Sequence, residues 1–450
     1  MKKIIYMACM CAFSIGLLSG CGGESAEEAG KDASGHNVSG QAVSGQAVSG
    51  QSIQTDGEES DSPEKDAKKK NSEEVLDSRY CTEGYYYTVV CDEEEEDFYV
   101  VQISLETGKR RKFKMDEWAY PVCVEKDVLY CIKSTDQVGY SGLWQIPIER
   151  HEDGSEELKT DRQEMIKGLD DIYFENDYIY VDDTYIVYSG GGDDEAEVVI
   201  CYKRESGEKV RMPADEKAQE CVECNTVKIY RKGDCLELVT LNGIVTWDVR
   251  TGNVSVCGDE NLAHFLEDCL DEDDLVSTEK ACFYIGGAIN FYMDVWRIDM
   301  ETKEKTDFVS ENELWNILET KAGIPEKQVE DVYIAHMYYD ENCLYIKLYI
   351  EYEKKGKRYT REIILSRKDT EGAPLQYEKK LTKYLWDGNG TRSLHTGKDY
   401  AESKSYCYGI RRGTACVCWG KDKGDYDRII YDLKTGKTRP ASWKDALIFE

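Results

Sequence analysis

An all-β fold is predicted by three observations on the amino-acid sequence. From Tyr80 onward, short apolar runs alternate at period two and are broken by Gly, Asp and Asn, as in strands with one buried face. One strand-and-turn pattern then recurs, with its turns at positions 107, 153, 206, 251, 302, 370 and 435, spaced 45 to 68 residues apart. A further strand precedes most of these turns, at 85–90, 128–132, 178–181, 235–239, 281–285, 343–350 and 415–419. Sheets of about four strands repeating at this period make a β-propeller of about seven four-stranded blades, with six or eight left open by the longer late spacings.

Four copies of the pattern are clear. Val101-Gln102-Ile103-Ser104-Leu105-Glu106-Thr107-Gly108 places Val, Ile and Leu on one face and then turns. Val245-Thr246-Trp247-Asp248-Val249-Arg250-Thr251-Gly252 repeats it, as do the runs ending in Thr302-Lys303 and Thr435-Gly436. In all four, apolar residues stand two, four and six positions before the Thr, and Ser or Asp stands three before it. Glycine after the Thr supplies the positive φ of a short hairpin turn. Ile200-Cys201-Tyr202, turning at Ser206-Gly207, is a weaker copy. Two copies diverge: 144–148 before Asp153-Gly154, and 363–365 before Thr370-Glu371-Gly372.

One or two short helices are expected as insertions between blades. Ser310-Glu311-Asn312-Glu313 is a capping box, followed by Leu314, Trp315 and Leu318 and a stop at Gly323. Residues 261–270 carry Leu262, Phe265, Leu266 and Cys269 on one helical face. The repeat, apolar-x-apolar-Asp-apolar-x-Thr-Gly-Lys, resembles that of bacterial PQQ-repeat-like and TolB-like propellers over residues 80–450. The Trp-docking repeat of the PQQ type is missing, and Trp247-Asp248 alone does not make a WD40 repeat. No ligand of either family carries over to this chain.

The N-terminus predicts an address. Lys2 and Lys3 precede an apolar stretch from Ile4 to Leu18, too short and too soon polar to span a bilayer. It ends in Leu18-Ser19-Gly20-Cys21, which resembles the lipobox of bacterial lipoproteins. The resemblance implies cleavage of residues 1–20, lipidation of Cys21 and an extracytoplasmic chain held to the cell membrane by acyl groups. Residues 21–79 are rich in Gly, Ser, Ala, Glu and Lys and include three copies of Val-Ser-Gly-Gln. Such a segment buries too little apolar surface to fold and serves as a tether.

Composition excludes some partners. With 89 acidic against 57 basic residues and a net charge of -32, the chain lacks the excess of Lys and Arg that nucleic-acid binding draws on. Acidic clusters at 92–97, 190–197 and 271–274 lie between strands, and none has EF-hand spacing. Solvated loop tips are the expected reading.

Of 18 Cys, fifteen would remain besides Cys21 after cleavage, an odd number that leaves at least one outside any internal disulfide. Most fall in strands, where Cys acts as a small buried hydrophobe, and their abundance points to reducing surroundings. Cys416 and Cys418 share a strand face but sit too far apart for an easy disulfide. Cys221-Val222-Glu223-Cys224 has redox or zinc spacing but no second pair or nearby His. The five His (His36, His151, His264, His336 and His395) are dispersed, with no metal-ligand spacing. No nucleophile elbow or phosphate loop occurs, and Ser206-Gly207-Glu208-Lys209 is a turn.

No catalytic residue, metal site or cofactor is therefore expected. Trp144, Trp247 and Trp296 are expected to pack between blades. Trp118, Trp386 and Trp443, with residues 85–87 and 338–339, are candidates for core packing or for a sugar-stacking face. The expected function is non-catalytic recognition or scaffolding of a protein, peptide or glycan by the propeller. The alternative is an extracellular glycosidase or lyase with carboxylates at the central pore. A bilobed solute receptor is disfavoured, because its alternating strand–helix pattern is missing.

Overall fold

The computed structural model describes residues 78–449, apart from 93–96, 116–118, 135–139, 171, 174–178, 191–197, 223–225, 258–274, 289–290, 388–390, 393–399, 404 and 421–425. These belong to one compact unit, Val75–Glu450. The expected helix at 261–270, Cys21 and the tether up to residue 77 lie outside the described residues, and the tether's last two residues, Ser78 and Arg79, belong to a short 3-10 helix, Ser78–Tyr80. No helix among the described residues is long and apolar enough to cross a membrane.

Seven antiparallel blades follow one another along the chain, as the repeat predicts. Blade one has strands Tyr85–Asp92, Asp97–Ser104 and Arg110–Met115, with an innermost bridge from Cys81 to Tyr86. Blade two has Ala119–Glu125, Val128–Ser134 and Tyr140–Arg150, and an outer edge that begins with Glu156–Leu158. Blade three has Tyr180–Val181, Tyr185–Gly190, Val198–Lys203 and Glu208–Arg211. Blade four has Thr226–Lys232, Cys235–Thr240, Gly243–Asp248 and Val254–Cys257, and blade five Leu275–Ser277, Ala281–Ala288, Phe291–Asp299 and Lys305–Val309. Blade six has Val329–Asp340, Cys343–Lys354, Lys357–Lys368 and Gln376–Tyr377. Blade seven has Ser405–Arg411, Thr414–Gly420, Tyr426–Asp432 and Thr438–Pro440.

One hydrogen bond repeats in every blade and ties its two hairpins together. An N–H at the end of the third strand donates to a carbonyl in the first turn: Leu105 to Gly84, Ile148 to Asp127, Arg204 to Thr184, Val249 to Asp234, Met300 to Lys280, Asp369 to Asn342 and Leu433 to Gly413, at 2.8–3.0 Å. The repeat's Ser or Asp caps the second turn. Asp248 Oδ1 accepts from the N–H groups of Arg250 and Thr251, both at 2.9 Å, and Asp299 Oδ1 does the same for Glu301 and Thr302 at 3.0 Å.

Each pair of neighbouring blades buries its own apolar cluster. Tyr87, Val100, Leu129 and Ile146 fill the first seam, Tyr130, Ile186 and Ile200 the second, and Val187, Leu236 and Trp247 the third. Val239, Ile244 and Tyr284 fill the fourth. Phe283, Leu314 and Leu348 belong to the largest cluster, between blades five and six, and Ile364, Leu381 and Val417 join blades six and seven.

Four α-helices occur among the described residues: α1, Glu216–Val222; α2, Glu311–Ile317; α3, Lys379–Asp387; and α4, Trp443–Phe449. The expected capping box opens α2. The Glu313 N–H donates to Ser310 Oγ, and the Ser310 N–H donates to Glu313 Oε2 at 3.2 Å. The other three were not foreseen. Helix α4 closes the ring, because Leu447 and Trp443 pack on Val101 and Ile103 of blade one while Phe449 packs on Cys416 and Ile430 of blade seven.

One strand differs from expectation. The second strand of blade three is Tyr185–Gly190, whereas 178–181 contributes only the short innermost strand Tyr180–Val181. Every residue of Tyr185–Gly190 is buried, so it lies against neighbours on both faces and shows no alternation.

Candidate functional site

Several buried or half-buried carboxylates hold neighbouring blades together. Glu156 accepts from Thr82 Oγ1 at 2.7 Å and Tyr87 Oη at 3.2 Å. Glu237 pairs with Lys303 of the next blade at 2.7 Å, and Asp369 takes Arg297 Nε at 2.7 Å and Tyr339 Oη at 3.1 Å. Burial and the Asp369 charge push the Tyr339 hydroxyl up to about 12.

The seam between blades two and three opens outward into a cavity of about 340 Å³. Met165, Ile166, Ile186 and Tyr202 form its apolar wall, and Gln145, Glu164, Lys167 and Arg204 bring polar groups to it. Blade two makes room by breaking its outer edge. After Glu156–Leu158, the strand Tyr140–Arg150 is paired only by Glu164–Met165 and then by Ile172–Tyr173, which also pairs with blade three. Gly142 lets the Met165 thioether approach, since a Cβ there would lie 2.6 Å from its sulfur.

Arg204 is the held cation of this cavity. Its Nη1–H donates to the Asp182 carbonyl at 2.6 Å and its Nη2–H to the Tyr130 hydroxyl at 2.7 Å. These two bonds use two of the five N–H donors of a guanidinium fixed over the Tyr130 ring at 5.5 Å. Burial raises the Tyr130 hydroxyl, against the pull of Arg204. Gln145 donates to Glu164 at 2.6 Å, which holds that carboxylate at the rim. A fixed guanidinium and exposed Lys167 beside an apolar wall suit a carboxylate carried on an apolar body.

The sequence reasoning missed Arg204, although a signal was present. It occupies the position two before the turn residue, where the clear copies carry Leu105, Val249, Met300 and Leu433. Among the residues singled out, Cys21, His36, His264, His395, Trp118, Cys224 and the clusters 191–197 and 271–274 lie outside the described residues. Of the 92–97 cluster, only the strand ends Asp92 and Asp97 are described. Cys221 is buried in α1. Trp247 is fully buried between blades three and four, as expected. Trp144 and Trp296 are half-buried instead, with Lys133 and Lys305 ammonium groups over their rings at 4.3 and 3.3 Å. Trp386 donates to the Glu362 carbonyl at 2.8 Å, and Tyr87 is sealed in the core. Among the described residues, twelve cysteines are free and no group of three or more His, Cys, Asp or Glu has a metal-binding arrangement.

No protein-family model matches the sequence, and no curated protein matches it. Solved structures do align with it. The β-propeller domain of the Trilobed protease from Pyrococcus furiosus is 10% identical at a TM-score of 0.36, covering 81% of this chain and 97% of that one. Tricorn protease is 12% identical at a TM-score of 0.37, over 80% of this chain and 36% of its own. Oligopeptidase B from Leishmania major is 8% identical at a TM-score of 0.41, over 82% and 48%. The chain thus spans about a third of tricorn protease and about half of the oligopeptidase. Its own sheet order, seven consecutive antiparallel blades, makes it a seven-bladed β-propeller.

Proposed function

We propose that the chain is a lipid-anchored, extracytoplasmic recognition module whose propeller binds its ligand without transforming it, and that the ligand is a peptide segment bearing a carboxylate. Cys21, in its lipobox-like setting, is the anchor, and the Gly/Ser-rich segment behind it is the leash. The observation that carries the ligand class is Arg204: a guanidinium anchored by Asp182 and Tyr130 where the four clear copies of the repeat have an apolar residue, beside a cavity walled by Met165, Ile166 and Tyr202. In a chain of net charge -32, such a spot selects a negative group locally while the surrounding field disfavours indiscriminate anion binding.

The test is an array of peptides made both as free acids and as C-terminal amides, probed with the wild type and with Arg204→Gln. Binding to free acids that Arg204→Gln loses supports the reading; equal binding of acids and amides by both proteins overturns it. The anchor is checked by feeding cells an alkyne fatty acid. Labelling of the wild type and not of Cys21→Ser is expected, and equal labelling rejects Cys21 as the acceptor.

A further inference from the structure

The outer strand of blade one, Arg110–Met115, is a basic stripe on an acidic protein. With Lys109 ahead of it, five of the six residues 109–114 are basic and none is acidic, against a net charge of -32 for the whole chain. Lys109, Arg110, Arg111, Lys112 and Lys114 are all exposed. Outer strands of other blades differ. Glu156–Leu158 and Val254–Cys257 carry no basic residue, Lys305–Val309 and Thr438–Pro440 one each, and Glu208–Arg211 two. An uncharged outer strand such as Val254–Cys257 serves this propeller, so guarding an edge does not by itself call for five cations.

The stripe is a sheet edge. The strand order of blade one ends on it, and its partner is Asp97–Ser104. The Ser104 N–H donates to the Lys109 carbonyl at 3.0 Å, which sets the register. Alternate residues then turn their main-chain groups inward, and Arg110, Lys112 and Lys114 turn theirs outward along the edge. The side chains of these three share one face, opposite Ile103, Val101 and Tyr99. Lys112 lies over the Tyr99 ring at 5.0 Å. On the other face Arg111 covers the Phe113 ring at 4.7 Å and pairs with Glu157 at 3.1 Å. Among the described residues, no carboxylate pairs with Lys109, Arg110 or Lys112.

We propose that this edge docks an extended acidic segment of another protein, added to blade one as one more strand. Outward N–H and C=O groups at every second residue supply the main-chain ladder. Acids at alternate positions of the added strand stand opposite Arg110, Lys112 and Lys114, on the face those cations share. The partner is therefore an extended peptide of the pattern acid-x-acid-x-acid, and the ladder sets it apart from other polyanions. The negative charge of the rest of the protein repels acidic chains elsewhere and leaves this stripe to receive them. The edge belongs to blade one and the Arg204 cavity to the seam between blades two and three, so either reading can fail alone.

The test is fluorescence anisotropy of the full chain with a labelled peptide of alternating Glu and Thr, acetylated and amidated so that no terminal carboxylate remains. The wild type should bind it, and Arg110→Glu with Lys112→Glu should weaken binding by about tenfold or more. Lys434→Glu with Lys437→Glu, which reverses two exposed cations of blade seven, should leave it unchanged, as should Arg204→Gln. No binding by the wild type, equal binding by the blade-one variant, or loss in Arg204→Gln overturns the proposal.

Should the blade-one variant not fold, the wild type still decides. Two further peptides carry N-methyl groups, one on its glutamates and the other on its threonines. In an added strand only alternate N–H groups reach the edge, so one of the two peptides should lose binding and the other keep it. An antiparallel strand loses it with the methylated glutamates and a parallel one with the methylated threonines. Equal binding of both, or equal loss, contradicts strand addition.

Discussion

The indole of Trp443 lies on Gly108: a side chain at that glycine would put its Cβ 2.8 Å from Trp443 Nε1. Gly108 is the turn glycine of blade one, at φ +72°, and Trp443 opens α4 after the last strand of blade seven. The first copy of the repeat is thus joined to the end of the chain by an aromatic side chain set on a bare turn. Helix α4 fills the seam between blades one and seven, as α2 and α3 add Leu314 and Leu381 to the two seams before it.

Gly108→Ala should therefore destabilise the protein twice over, through the positive φ and through the displaced indole, by about 2–4 kcal/mol in total. Trp443→Ala should cost about 2–3 kcal/mol by emptying the same contact. Urea denaturation measures both. Gly154→Ala, at φ +81° but with open space around it, isolates the backbone share and should cost less than Gly108→Ala.

Asp445 fixes α4 at its start. It pairs with Arg439, and its Oδ2 accepts from the Ser442 N–H at 2.6 Å. Burial alone would raise its carboxyl, but Arg439 and Ser442 outweigh this and hold it at about 2. A lowered carboxyl stabilises the fold fully above its ordinary value and loses that contribution as pH falls towards the folded one. Acid titration should then loosen α4 between about pH 4 and pH 2, read by Trp443 fluorescence. Asp445→Asn should remove that step and lower stability at pH 7.

The turn aspartates predict a second acid response. Backbone N–H groups of Thr251, Thr302 and Thr435 hold Asp248, Asp299 and Asp432 below the usual carboxylate range. Their contribution is present above that range and fades as pH falls through it. The triple Asp→Ala variant should melt lower than the wild type at pH 7, with the gap narrowing towards pH 3 in calorimetry.

Lys347 is 6% exposed and lies 3.6 Å from Glu362, whose Oε2 also accepts the Cys407 N–H at 2.7 Å. Glu362→Ala should cost about 3–5 kcal/mol, because it leaves a buried ammonium without its counter-charge. Lys347→Met in the same background should recover part of that loss, as chemical denaturation of the single and double variants would show.

Much of this architecture is written locally. Thr251-Gly252 and its capping Asp248 encode a turn within four residues, and four clear copies of that pattern with three weaker or divergent ones mark seven blades. Tyr185–Gly190 was illegible as a half-buried strand because both its faces are covered, which erases period two. Ser442 and Asp445 carry a helix-start pattern in sequence, yet nothing local says that α4 docks over three hundred residues away on Val101. Arg204 was legible as a departure from the repeat. Its cavity was not, because it depends on how the outer edge of blade two is broken.

Closure of the ring by α4 is the claim on which the other seams and sites rest. Amide hydrogen exchange of the full chain against a chain ending at Pro440 tests it directly. Strands Asp97–Ser104 and Ser405–Arg411 should lose protection in the shorter chain, while Cys235–Thr240 in blade four keeps it. Unchanged protection at both strands, or the same loss in blade four, would contradict a ring held shut by that helix.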